Sequence, residues 1–362
     1  MLVVAAMAAA ASALAVPPDE AYLGYFDWKT LGCLFCVLAV ASALRLMGAF
    51  DRAARAVIAR FRSPRPLALA LVLTTAGLSC VATNDMALIM MLPLSAATLM
   101  GANLPRLVAP VFVLQSLAAN LCGMIVPFGN PQNLYLYSYY GLGLGDFLAT
   151  MALPFALSTI SIVACTWWLC GRTDSSSPSD TRNLAMPMPL GRRRLAAYGL
   201  LFALTLLAVF RIVSIAAAVA TVAAVDWGLL ATFACFFVFA GNMARVPEVS
   251  AWLSPLMADH GLWVSAGLSQ IISNVPAAVL LSHFTGAWQP LLVGVNIGGA
   301  GTLVGSLASL ITLQHFTSVR KIFPRAAALP ELSTGRFLAL FSVLNFGFLA
   351  ILLIACGTAS SF

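Results

Sequence analysis

Two short stretches carry side chains able to hold a small ion: Thr83-Asn84-Asp85 in "CVATNDM", and Ser273-Asn274-Val275-Pro276 in "QIISNVP". Hydroxyls and carboxamides offer donors and acceptors together. Thr, Ser and Asn are also the residue types that start helices, and Pro276 suits the first turn that follows. A helix beginning at each stretch aims its positive end and its unsatisfied N–H groups forward, an arrangement suited to an anion. Asp85 adds a carboxylate that can take up and release a proton, or help to hold Na+ near Asn84, Asp85 and Asn274.

Two further stretches interrupt apolar sequence. In "PFGNPQN", Pro127, Gly129 and Pro131 rule out a continuous helix, while Asn130, Gln132 and Asn133 bring carboxamides to the break. "NIGGAGTLVGSLAS" supplies Gly298, Gly299, Gly301 and Gly305 with Thr302, Ser306 and Ser309. A pair such as Gly301 and Gly305 can mark close helix packing. Its place opposite "PFGNPQN" favours an unwound segment.

The stretches are paired because the chain repeats itself. "AGLSCVATN" at 76–84 and "AGLSQIISN" at 266–274 agree at five of nine positions. "FDWKTL" at 26–31 is answered by "VDWGLL" at 225–230, and Asn120 and Gly129 by Asn296 and Gly305, nine residues apart in each case. The serine- and proline-rich 171–194 lies between the halves and reads as their linker.

Composition fixes the setting. Of 362 residues, 61% are hydrophobic and 9% charged, with a mean hydropathy of +0.97; soluble proteins carry roughly 25% charged residues. Apolar stretches reach the roughly 20 residues that a membrane helix needs, and none alternates with the period of a barrel strand. The fold class is therefore an all-α integral membrane protein of about 10–11 spans. The net charge of +7 points to orientation and not to nucleic acid, because 15 of 19 Lys/Arg fall in four short loops and Arg45 lies just before the first of them. Those loops, at 51–66, 101–106, 171–194 and 319–336, are expected in the cytoplasm, in a multi-pass protein of the cell membrane surrounded by lipid. The eight cysteines are scattered, and Cys33-x-x-Cys36 lies within a span, so neither a disulfide framework nor a metal centre is expected.

The basic stretch 51–62 follows the span after Asp27-Trp28, whereas 245–261 follows the span after Asp226-Trp227 and carries one Arg with two Asp/Glu before His260. The halves are thus expected to be inverted, a layout used by secondary transporters. Residues 1–25 read as a short first span and an external loop. The Ala13-Leu14-Ala15 end of that span would also suit a cleaved leader, but no basic residue precedes it. The first repeat takes 26–170, with a re-entrant hairpin at 67–100 and a broken helix at 107–139. The second takes 195–362, with a hairpin at 261–289 and a broken helix at 290–313. An arm from Leu67 to Ala82 covers about 24 Å, short of a roughly 30 Å hydrocarbon core, so each tip is expected to stop inside the membrane.

"TNDMALIMMLPL", "GNPQN", "ISNVPAAVLL" and "GGAGTLVGSLASLI" resemble the ion transporter superfamily. Within it the chain looks like the citrate-transporter-like permeases, related to arsenite permeases, sodium/proton antiporters and divalent anion/sodium symporters. The resemblance implies a homodimer with a scaffold and a mobile transport domain carrying both hairpins. The symporter branch has Ser-Asn-Thr at each tip; here only the Asn and its preceding hydroxyl are kept, and the Asn-Asp tip is more like the arsenite-permease and antiporter branches. The expected activity is secondary transport of a small anion, a carboxylate or an inorganic oxyanion, coupled to H+ or Na+ and needing no other cofactor. Cation/proton antiport through Asp85 is the alternative. "GLGLGDF" at 141–147 also contains the Gly-x-Gly-Asp of presenilin-like intramembrane proteases, a chemistry requiring a second aspartate beside Asp146. A non-transporting receptor would leave the paired tips without a purpose.

Overall fold

The computed structural model describes residues 2–28, 30–35, 55–56, 60–61, 63–171, 227–323 and 329–359. Most of the 171–194 linker, the basic stretch around 51–62 and Cys36 lie outside the described residues. Among those described, every regular element is helical. In chain order the helices are α1 (Leu2–Ala15), α2 (Pro64–Ala82), α3 (Asn84–Gly101), α4 (Val108–Gly123), α5 (Pro131–Tyr139), α6 (Leu144–Leu169), α7 (Trp227–Ala244), α8 (Pro247–Ile272), α9 (Asn274–Leu281), α10 (Trp288–Ile297), α11 (Leu307–Ile322) and α12 (Thr334–Ala359). Among the described residues, five segments are long and apolar enough to cross a membrane, and α7 and α8 form a further pair bent by 96°. The chain is an all-α membrane protein.

The first hairpin is α2 and α3 joined through one residue, Thr83, at φ 68° and ψ 154°. The second joins α8 to α9 through Ser273, at φ 75° and ψ 153°. Glycine occupies this region of backbone space with ease; a β-branched or hydroxyl residue held there stores about 1–3 kcal/mol of strain. The strain turns the chain back within one residue, and both halves use it alike. The arms of the first hairpin exceed the sequence-based expectation: α2 starts at Pro64, where Pro64 and Pro66 fill a first turn that needs no N–H donor. Its 19 residues run about 28 Å, so arm length does not set the depth of the tip. In the second hairpin the returning arm α9 has 8 residues, and α8 is kinked at His260, φ −136°.

Each hairpin is followed by a broken helix, α4 with α5 and α10 with α11. The interruptions lie at 124–130 and 298–306, where the prolines and glycines of the sequence stand. The tips are fastened to these interruptions in the same way: Asn84 N–H donates to Gly129 O at 3.1 Å, and Asn274 N–H to Gly305 O at 3.0 Å. The returning arms then cross over, α3 packing on α11 and α9 on α5. Such reciprocal exchange is what a two-fold relation between the halves produces.

At the periphery α1 lies along α7, where Asn242 Nδ2 donates to Ser12 Oγ at 3.0 Å and to Tyr22 OH at 2.8 Å. Arg245 donates to both oxygens of Asp19, at 2.9 and 2.6 Å. That hydrogen bonding holds the Asp19 carboxyl below its ordinary range.

Candidate functional site

The strained tips leave little freedom in where their neighbours point. Asn84 and Asn274 open α3 and α9, and both are buried. Asn84 Nδ2 donates to Asn120 Oδ1 at 3.1 Å, and Ser306 Oγ donates to the same oxygen at 2.9 Å. Asn120 Nδ2 in turn donates to Gly299 O at 3.2 Å. The mirror arrangement is built around Asn296. Its Oδ1 receives Asn130 Nδ2 at 3.3 Å and Gln132 Nε2 at 3.4 Å, and its Nδ2 donates to Asn133 Oδ1 at 2.6 Å. One asparagine at the end of each first half-helix thus braces the other repeat's break. A carboxamide in apolar surroundings is held when its donors and acceptors find partners, and expensive when they do not.

Two acceptors in this network stay open. Asn130 Oδ1 and Gln132 Oε1 are buried and have no hydrogen-bond partner among the described residues, since no donor reaches either oxygen. Buried polar atoms without partners are scarce in folded proteins and ask for an explanation.

In front of this bracing lies a cavity of about 30 Å³, room for no more than a few waters. Thr83, at the bend, is buried behind this space and is not on its wall. The wall includes Asn84 and Asp85 from the first tip, Ser273, Asn274 and Val275 from the second, Pro131 and Gln132 from the start of α5, and Ser306 and Leu307 from the start of α11. Thr232 and Phe236 of α7 complete it. Four helices, α3, α5, α9 and α11, therefore begin at one space, with Ser273 at once the C-cap of α8 and the N-cap of α9. The partial positive ends of four helices face inward, and among the described residues no Lys, Arg or His is on the wall and Asp85 is the only ionisable side chain there.

The remaining residues singled out from the sequence stand behind the wall. Gly129 holds its carbonyl for Asn84, and a Cβ at this position would lie 2.1 Å from Gly123 O. Asn133 braces its own break, donating to Met124 O at 3.0 Å. A Cβ on Gly299 would meet Asn274 Nδ2 at 3.0 Å, so this glycine lets the tip approach the break. Gly301, at φ +115°, and Thr302 face Gln270 instead of the cavity, and Gly305 presents its carbonyl to Asn274. Pro276 is buried in the first turn of α9 without reaching the cavity wall.

Four residues of consequence carried no motif signal that assigned them a role. Asn120 and Asn296 appear in the sequence only as repeat markers, although a lone carboxamide closing an apolar span is itself a cue. Thr232 and Phe236 sit in an unbroken apolar helix and reach the site only through packing. Asp146 lies apart, exposed in the first turn of α6 and absent from the cavity wall.

Comparison with known proteins agrees with this architecture. The family model described as "Citrate transporter" matches residues 1–291. The inner membrane protein YbiR of Escherichia coli (strain K12) is 32% identical over 303 residues, covering 80% of each chain. The "Uncharacterized transporter MJ0456" of Methanocaldococcus jannaschii is 31% identical over 299 residues, 80% of this chain and 81% of its own. The silicon efflux transporter LSI3 of Oryza sativa subsp. japonica is 27% identical over 157 residues, 42% of this chain and 32% of its own.

Proposed function

The chain belongs to the citrate transporter family, and from that premise we propose that this multi-pass membrane transporter is a secondary permease of a small anion, a carboxylate or an inorganic oxyanion. The anion binds between the tips at Asn84 and Asn274, and its movement is coupled to H+ or Na+ through Asp85. One observation carries the reading: both hairpin tips and both half-helix starts line a single cavity that has no cationic side chain among the described residues. Four helix N-termini with buried amides and hydroxyls are a means of holding negative charge at a depth where a lysine or arginine would be expensive. The rice relative's name, a silicon efflux transporter, supports an oxyacid or oxyanion among the candidate solutes.

Asp85 sharpens the coupling. An anion and a carboxylate about 4 Å apart repel by about 4 kcal/mol at an effective dielectric of 20, so a neutralising H+ or Na+ on Asp85 accompanies the anion. The unpartnered oxygens of Asn130 and Gln132 are further acceptors for such a cation. The cavity, at about 30 Å³, is too small for a citrate-sized ion, and loading one therefore requires its walls to part. In the family's likeness the protein works as a homodimer in the cell membrane.

The test is thermal melting of purified protein with citrate, phosphate, sulfate or arsenite, with and without Na+, at several pH values. At least one anion should raise the melting temperature of the wild type and fail to do so for Asn274→Ala. No response to any of them would count against the reading. The alternative, cation/proton antiport, is favoured by Asp85 being the only ionisable group among the described residues of the wall. Loss of cation exchange in Asp85→Asn vesicles, without any dependence on anions, would select it.

A further inference from the structure

We propose that Gln270 is the positioning residue of the second half-site, locking the α8 arm to the unwound connection at 298–305 so that Asn274 and Ser306 face the cavity in one fixed geometry. The inference rests on the transport reading for its function, though not for its geometry. Gln270 Nε2 lies 2.8 Å from Gly298 O and 3.0 Å from Ala300 O, and Gln270 Oε1 accepts Thr302 N–H at 2.8 Å. The backbone of the same residue accepts Thr302 Oγ1 at 2.9 Å, and Thr302 Oγ1 accepts Gly305 N–H at 3.0 Å. One side chain therefore satisfies three backbone groups of a segment that has no helix of its own to satisfy them. Gly305, the last link, carries the carbonyl to which the Asn274 N–H is tied.

Comparison of the repeats shows why this contact is a specific device. The position matching Gln270 is Cys80, whose Sγ reaches Cys122 O at 3.5 Å; Cys122 O is the counterpart of Gly298 O. A thiol is a weak donor. The first connection is held instead by Asn133, from the half-helix that follows it, through Met124 O and Val126 O at 3.0 and 3.4 Å. The position matching Asn133 is Ser309, whose buried Oγ has no partner among the described residues. The clamping carboxamide has thus moved from the half-helix in one repeat to the hairpin arm in the other. In the second repeat the arm, tip and connection are hydrogen-bonded into one body, whereas the first hairpin is joined to its connection by the Asn84–Gly129 bond and a thiol. The second half-site is preformed by this clamp, whereas the first hairpin is tied to α4 higher up, where Gln115 Nε2 reaches Thr75 Oγ1 and Ser95 Oγ, each at 2.8 Å.

Amide hydrogen exchange of the full-length protein in detergent tests this without any ligand. In the wild type, amides at 300–304 should be at least about tenfold better protected than those at 124–128. Gln270→Met, of similar shape but without the amide, should raise exchange across 298–306 about tenfold and leave α6 unchanged. Gln270→Glu should lose protection at high pH, where a carboxylate keeps the Thr302 N–H bond but cannot donate to Gly298 O and Ala300 O, and regain protection relative to wild type as the pH falls. A merely space-filling residue would give no such pH profile. Equal exchange at 298–306 in wild type and Gln270→Met, or wild-type 300–304 no better protected than 124–128, overturns the inference; the second comparison decides even where a variant fails to fold. In melting titrations with citrate, phosphate, sulfate and arsenite, Gln270→Met should need about tenfold more of any anion that stabilises the wild type, because the binding-competent fraction falls. Absence of any wild-type response would overturn the transport reading, and the exchange data would still decide the role of Gln270.

Discussion

At the scale of single residues, the site is built from positions where side-chain size or backbone angle leaves little choice. Gly129 shows this most sharply, since an added Cβ would sit 2.1 Å from the backbone oxygen of Gly123, against 3.0 Å from Gly298 O for its partner Gly305. Gly267, in the middle of α8, has no atom within 4 Å of such a Cβ. Alanine substitutions are therefore expected to rank by melting temperature, Gly129→Ala lowest, Gly305→Ala intermediate and Gly267→Ala at or above wild type. A helical glycine gains about 0.5–1 kcal/mol on becoming alanine, while backbone-level overpacking loses about 1–3 kcal/mol. Equal melting of all three would show that the breaks are softer than their contacts indicate. Thr83 and Ser273 belong to the same class: their positive φ is unforced by any glycine and is maintained by the bonds that the following asparagines make.

At the scale of elements, the halves are tied where α5 meets the carboxyl end of α9. Tyr135 OH and Ser282 Oγ are 2.8 Å apart, both buried, and Tyr140 OH donates to Thr285 O at 2.8 Å. Ser282 Oγ also donates to Val279 O at 2.9 Å, so Tyr135→Phe removes one bond and leaves the serine satisfied. Ser282→Ala strands a phenol hydroxyl in the interior. The expected losses are about 0.5–1.5 kcal/mol for the first and about 1–3 kcal/mol for the second, with the double variant losing less than their sum. Denaturation of the four proteins checks this, and additive losses would mean that the pair is not coupled.

At the scale of the whole molecule, the reciprocal bracing of Asn120 with Ser306 and of Asn296 with Asn130 relates the repeats by a two-fold operation. Combined with the charge bias of the loops, this relation predicts that the open ends of the two hairpins lie on opposite sides of the membrane. Gly101 and Gly286 mark those ends, and neither has an atom within 4 Å of an added Cβ. In right-side-out vesicles, a membrane-impermeant maleimide should label Gly286→Cys at once and Gly101→Cys only after permeabilisation, each compared with the unsubstituted parent. Labelling of both from the outside would contradict the inverted layout.

The sequence alone determined the class, because a chain so poor in charge has no stable aqueous fold, and it determined where helices must stop, because Pro127, Gly129, Pro131 and the glycines at 298–305 act locally. The repeat was equally open to reading, since identity at matching positions needs no coordinates, and Asn84, Asp85 and Asn274 stood out as polar groups in apolar surroundings. Tertiary structure alone decided the rest. Asn120 and Asn296 gained their roles from groups more than 160 positions away in the chain, Thr232 and Phe236 from packing of an otherwise featureless helix, and Gln270 from the carbonyls of a connection that follows it by about 30 residues. Local sequence fixes which backbone groups are left unsatisfied; only the assembled fold fixes which distant side chain comes to satisfy them.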